Sequence, residues 1–345
     1  MTTSSKEPVT LRRIAEEAGV SLATVSRALN YPETVSEITR ERILALVARH
    51  RYVLDGVASS FSSRRSGLIG LIVPTIGNSI YAAFTVAVQA RLQAEGRKLL
   101  IANSNYEMGL ERDVIRKLIE SRVEGVILTG YKRETDLYDL LRHYRIPFVI
   151  TWSTSPDPSV PAVSFDNETA AESAVEAIIE MGHRRIGLVC GKTSINDRAA
   201  QRLNAYRRTL ERHGITFDGR LVQEREFEVH EGGLAVEVLM SLKPRPTAIF
   251  CANDIQALGA LFACYRLGFV IPQDLSIVGF DDLPMSRFVN PSLTTIHVPA
   301  EEMGKEAANR IIRNVETEQP IEPLLLQTHI IRRDSLGPVP QTSRI

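Results

Sequence analysis

From position 67 onward the chain alternates short, continuous apolar runs with helical patterns, and no other feature restricts its fold as much. The runs at 68–73, 99–102, 126–129, 148–151, 186–189, 248–251 and 277–279 read as strands. Helical patterns at 81–94, 170–181, 199–212, 254–267 and 301–315 lie among them. Strands that are apolar without interruption are buried on both faces, and helices placed between them make the sheet parallel. So many strand–helix units exceed one comfortable sheet. The expected fold class is therefore α/β, with two doubly wound lobes and a ligand cleft near the carboxyl ends of the strands. The core is expected to span 67–345. Its N-lobe would take about 67–165 and 298–325, and its C-lobe about 166–297 and 326–345.

The first fifty residues contain no such run. Apolar residues Leu11, Ile14, Ala15 and Ala18 recur at helical spacing, with Thr10 as N-cap and Gly19 as stop. Ser21 then caps a second helix over 22–29. A third, over 37–51, is expected to carry Ile38, Ile43, Leu44 and Val47 on one face. Two short helices joined by a glycine turn make a helix-turn-helix, which sets a headpiece at 1–56. Such a second helix enters the major groove with its N-terminal residues toward the bases. Ser21, Thr24 and Asn30 suit phosphate contacts, and Arg27 can meet a guanine with two hydrogen bonds. Ile14, Ala18, Val20, Val25 and Leu29 would pack the helices together, and Thr10 joins the DNA-facing set. The serine-rich stretch 57–66 reads as a linker, or as a helix that needs a partner to form.

Charge agrees in distribution rather than in sum. The 345-residue chain has 41 Lys+Arg and 41 Asp+Glu, which argues against a general polyanion binder. Residues 1–66 nevertheless hold ten basic against seven acidic side chains. The three cysteines, Cys190, Cys251 and Cys264, are far apart and read as reduced, buried small hydrophobes. The N-terminus has no apolar secretory core and no run is long enough for a membrane span, so a cytoplasmic protein is expected, with no membrane partner. No nucleophile elbow, phosphate-cradling loop or dinucleotide fingerprint is present, so neither catalysis nor a cofactor is expected. No second ligand accompanies His183 at metal-binding spacing, so no metal is expected either. A sugar-transport binding protein would share the two lobes but would need an export signal and would lack the headpiece.

The segment with Ile14-Ala15, Ala18-Gly19-Val20-Ser21, Thr24-Val25-Ser26-Arg27 and Leu29-Asn30 resembles the headpiece of the LacI/GalR family of transcriptional regulators. The resemblance continues through Gly70-Leu71-Ile72-Val73-Pro74, Phe165-Asp166-Asn167, Gly182-His183-Arg184, Ala252-Asn253-Asp254 and Gly279-Phe280-Asp281-Asp282, covering about residues 9–335. It implies base reading by Leu22, Ala23 and Arg27. It also implies a hinge helix that wedges an apolar residue, usually leucine, into the minor groove, with Phe61 at that position. Phe61 either wedges there or packs on the core.

For the core, the resemblance implies a periplasmic-binding-protein-like receptor for a small-molecule effector, a sugar or sugar acid. Arg202 matches an arginine that grips ligand oxygens, and Asn253 and Asp281 match residues that bind sugar hydroxyls. Asn78 and Tyr81 follow the first strand, and Trp152 either stacks on a sugar or fills space. Each has a plainer alternative: surface arginine for Arg202, N-cap for Asn253, turn acid for Asp281. The stretches 250–254 and 264–268 look most like gluconate-type repressors. The implied protein is a homodimer on a palindromic stretch of double-stranded operator DNA, repressing a catabolic operon. No tail-mediated tetramer is expected.

Overall fold

The structure, a computed structural model, describes residues 9–52 and 66–340. The chain divides into two units, Met1–Ser66 and Gly67–Ile345.

In the first unit, α1 (Leu11–Ala18), α2 (Leu22–Asn30) and α3 (Glu37–His50) form a three-helix cluster. Thr10 Oγ1 accepts from the Arg13 amide and Ser21 Oγ from the Thr24 amide, so both expected N-caps form. Gly19 ends α1 at φ +65°, a conformation open to glycine at little cost. Ile14, Ala15, Ala18, Val25, Ala28 and Ile43 form the core, with Val20, Leu29 and Val47 packed against it. Two expectations fail on α3: Leu44 is exposed and Ile38 is 74% exposed. With two short helices to cover, α3 buries Ile43 fully and packs Leu46 and Val47 beside it, leaving Ile38 and Leu44 outside the contact.

In the second unit, a six-stranded parallel sheet runs in the order β11-β5-β4-β3-β1-β2. Its strands are β1 (Leu68–Val73), β2 (Lys98–Asn103), β3 (Gly125–Thr129), β4 (Phe148–Thr151), β5 (Ala162–Phe165) and β11 (Leu324–Leu326). A four-stranded parallel sheet runs β7-β6-β8-β9. It comprises β6 (Ile186–Cys190), β7 (Val222–Glu224), β8 (Ala248–Cys251) and β9 (Ser276–Val278). Each sheet anchors one lobe. An antiparallel pair, β10 (Thr295–His297) and β12 (His329–Ile331), carries the chain between the lobes. The helices are α4 (Ser79–Ala94), α5 (Met108–Glu120), α6 (Thr135–His143), α7 (Asn167–Glu180), α8 (Asp197–Arg212), α9 (Val229–Ser241), α10 (Asp254–Leu267) and α11 (Ala300–Thr317).

Several helices begin two or three residues before the apolar pattern does. Asn78, Asp166 and Asn196 cap α4, α7 and α8 by accepting backbone amides, so the first turns are set by polar caps rather than by burial. Glycines permit the tight pairing of α9 with α10: a Cβ on Gly259 would lie 1.8 Å from the Val229 carbonyl oxygen. Cys190, Cys251 and Cys264 are buried and free. His183 is buried between Thr247 Oγ1 at 2.9 Å and the Gly337 carbonyl at 3.0 Å, a structural post for the C-terminal segment.

Candidate functional site

The headpiece presents one helix face outward. On α2, Val25 and Ala28 turn into the core, while Ala23 and Arg27 are exposed and Leu22 is 51% exposed. Residues four apart share a helix face, so Ala23 and Arg27 present one surface. Ser21 and Thr24 hydroxyls lie 2.9 Å apart at the start of α2, and Thr10 is exposed at the start of α1. The Asn30 side chain, Phe61 and the rest of the hinge stretch before Ser66 lie outside the described residues. The basic charge of α1 is partly answered locally: Arg12 pairs with Glu16, and Glu17 with both Arg13 and His50. The hydrogen bond from His50 lowers the Glu17 pKa most.

In the core, a narrow cavity lies between the lobes. It contains all six of the residues singled out there, Asn78, Tyr81, Trp152, Arg202, Asn253 and Asp281. Each follows the carboxyl end of a strand, where doubly wound sheets leave their crevice. From one lobe, Asn78 caps α4, and Trp152 sits just past β4 at φ +68°. The indole is held edge-on by Tyr81 at 4.9 Å and Phe84 at 5.5 Å. Its Nε1 is buried and has no hydrogen-bond partner. A donor left so is costly in a protein interior.

From the other lobe, Arg202 is a buried arginine rather than a surface one. Its Nε donates to Asn167 Oδ1 at 3.0 Å and its Nη1 to the Ala252 carbonyl at 2.6 Å. The guanidinium lies over Phe280. Asn253 is indeed an N-cap, accepting from the Ile255 amide at 2.8 Å, but its Nδ2 also donates to Asp281 Oδ2 at 2.7 Å. Burial pushes the Asp281 carboxyl up to about 8, against the pull of Arg202. Burial likewise lowers the Arg202 pKa.

Tyr106, Asn196, Arg198 and Phe227 also line the cavity and were not singled out from the sequence. Arg198 pairs with Asp197 at 2.5 Å. Burial opposes the Asp197 charge, yet Arg198, the Tyr131 amide and Ser153 hold its pKa below the ordinary value. The Tyr131 amide donates to Asp197 Oδ2 at 2.8 Å across the cleft, and Lys132 Nζ donates to the Ser194 carbonyl beside it. A signal for Arg198 existed in its capping neighbour Asn196; Tyr106 and Phe227 lie in loops with no pattern to announce them. Among the described residues no His, Cys, Asp and Glu cluster is placed to hold a metal, and no helix is long and apolar enough to cross a membrane.

A helix-turn-helix and a two-lobed receptor on one chain define a DNA-binding regulator that answers to a small molecule. Comparison with known proteins gives the same class. Residues 10–55 match the model described as bacterial regulatory proteins, lacI family, and residues 175–336 match the periplasmic binding protein-like domain. The HTH-type transcriptional repressor CytR of Escherichia coli is 33% identical, over 86% of this chain and 87% of that protein. The lac repressor dimer bound to operator and the anti-inducer ONPF superposes with a TM-score of 0.83 at 26% identity, covering 96% of this chain and 100% of that one. The transcriptional regulator CelR in complex with cellobiose superposes at 0.71 with 28% identity, over 95% and 99%. This chain belongs to the LacI family of transcriptional regulators. It is a helix-turn-helix DNA-binding regulator and not an enzyme.

Proposed function

We propose that this protein is a cytoplasmic repressor of a carbohydrate or sugar-acid catabolic operon, whose operator affinity is set by a sugar or sugar acid held between its lobes. The observation that carries the reading is the convergence of Arg202, Asn253 and Asp281 with the rings of Tyr81, Tyr106 and Trp152 on one interlobe cavity. Rings cover the apolar faces of a sugar, while a guanidinium fork and short amide and carboxyl groups bond its oxygens. Asn78 completes the set. The similar CelR structure is a complex with cellobiose.

Operator reading follows from the headpiece. Arg27 is the one strong hydrogen-bonding base reader. Leu22 and Ala23 give apolar contacts such as those to thymine methyls, and Thr10, Ser21, Thr24 and Asn30 meet the phosphates. Phe61 wedges into the minor groove at the operator centre. A homodimer on a roughly palindromic operator fits two-fold symmetry. Exposed apolar residues on α9 and α10 support it: Leu234, Val238, Phe262 and Tyr265, the last 88% exposed.

The experiment is a thermal-shift screen of sugars and sugar acids on the full chain, followed by operator binding with and without each hit. A stabilising hit that also changes operator affinity is the expected result. If no sugar or sugar acid stabilises the protein, the effector reading falls.

A further inference from the structure

Asp281 is the only acid lining the ligand cavity among the described residues, and its backbone is unusual. Asp281 sits at φ +123° and Asp282 at φ +55°. Two consecutive residues bearing a Cβ in this region persist only where their surroundings over-determine them. Here the surroundings are the two strands that cross between the lobes. The Asp281 amide donates to the Ile296 carbonyl of β10 at 2.9 Å. Asp282 turns away from the cavity. Its carboxylate accepts from Arg333 Nη2 at 2.6 Å and meets His297 Nδ1 at 3.0 Å.

Those two partners stand on different crossings. His297 ends β10, which leads from the lobe of the four-stranded sheet into α11. Arg333 follows β12, which brings the chain back from β11 of the six-stranded sheet. Arg333 is itself fixed, its Nη1 donating to the Leu293 carbonyl and its amide to Thr294 Oγ1, both at 2.8 Å. A few residues on, the Ile277 amide donates to the Ser335 carbonyl at 2.9 Å. One nearly buried carboxylate thus touches both β10 and the exit of β12, and its neighbour in sequence lines the cavity.

We propose that Asp282 is a positioning residue for the ligand response: with Arg333 and His297 it clamps both crossing strands to the segment that carries Asp281. The angle between the lobes and the place of Asp281 are then set together. A ligand that pulls on Asp281 acts on the crossings through a one-residue lever. This inference rests on the reading of the cavity as the effector site. The coupling itself is a property of the ligand-free chain.

The Tyr131 amide reports on it, because its acceptor, Asp197, stands on the opposite lobe. Amide exchange would be measured on the ligand-free full chain, resolved to single residues by electron-transfer fragmentation. Asp282→Asn should speed Tyr131 exchange by about fivefold or more, with the Val126 amide of β3 unchanged. Arg333→Lys should act in the same direction, less strongly, and serves if Asp282→Asn does not fold. Asp218→Asn, which breaks a polar cluster away from the crossings, should leave Tyr131 as in the parent. Unchanged Tyr131 exchange in both clamp variants overturns the proposal. So does a rise shared equally by Val126, which would make Asp282 a residue of overall stability. A fruitless sugar screen would not alter these rates, so the two readings fail separately.

Discussion

The Arg202 guanidinium sits 3.6 Å above the centre of the Phe280 ring, so the cation is held from below while its edge bonds Asn167 and Ala252. A planar fork can stack and donate along its edge at once; an ammonium cannot. Arg202→Lys should therefore keep the charge and lose the geometry. The expected outcome is about 2 kcal/mol of lost stability and loss of the thermal shift given by the best hit of the sugar screen. A variant that still responds fully would remove Arg202 from the binding set.

Trp152 allows a cleaner separation of binding from folding. Its indole nitrogen is a buried donor with no hydrogen-bond partner, on a residue that lines the cavity. Trp152→Phe removes that donor along with part of the ring, and the two effects on stability oppose each other. We expect a melting temperature close to the parent's and a ligand affinity about tenfold weaker, from one lost hydrogen bond. Equal affinity by calorimetry would reduce Trp152 to a space-filling role.

Asp281 gives the core a pH signature. Its folded pKa of about 8 lies far above the ordinary 3.8, so the native state holds a proton that the unfolded chain releases. This contribution to stability is fully present below pH ~4 and is lost as the pH rises toward ~8. His183 acts oppositely, since burial lowers its pKa. The comparison that isolates Asp281 is with Asp281→Asn. Melting curves from pH 5.5 to 8.5 should fall less steeply with rising pH in that variant, and parallel curves would sink the assignment.

Gly130 does not line the cavity, yet it governs a residue that does. It sits at φ +75°, and a Cβ there would lie 2.1 Å from Arg198 Nη1 and 2.8 Å from Asp197 Oδ1. Gly130→Ala should push the Arg198 guanidinium aside and weaken ligand binding by about tenfold, with a further ~1 kcal/mol of backbone strain. Operator binding without ligand should be retained. If ligand affinity is unchanged, Arg198 is not a ligand contact.

On the headpiece, Arg27→Ala should weaken specific operator binding by about 1–3 kcal/mol and leave ligand binding intact. Fluorescence anisotropy with specific and scrambled duplexes would separate base reading from phosphate attraction. Loss of ligand binding as well would assign Arg27 a folding role.

What could be read from the sequence followed from burial. The expected bounds of β1, β4 and β8 match the structure because these strands are apolar almost throughout, Thr151 being the one hydroxyl residue, and all but Leu68 of their residues are buried. Five strands have no counterpart among the expected runs: β7, β10 and β12 are short and mixed and lie at a sheet edge or in the crossing pair, β5 is interrupted by Ser164, and β11 is only three residues long. Ile38 and Leu44 misled because periodicity locates an apolar stripe without saying how much partner is available to cover it. In the cavity, Asn253 looked like a cap and is one. Its second role, holding Asp281, depends on a contact between positions 28 residues apart that no local pattern encodes. Resemblance supplied six cavity residues; Tyr106 and Phe227, contributed by loops, needed the fold.

The three buried cysteines have a practical consequence. Burial pushes the Cys190 and Cys264 thiols up to about 12 and that of Cys251 well above its usual range. Only the thiolate attacks alkylating reagents, so at neutral pH the native chain is its own blank for maleimide chemistry. A single cysteine introduced on either lobe or on the headpiece would accept a dye or spin label in an otherwise unaltered protein, and lobe motion could be followed without first stripping thiols from the core.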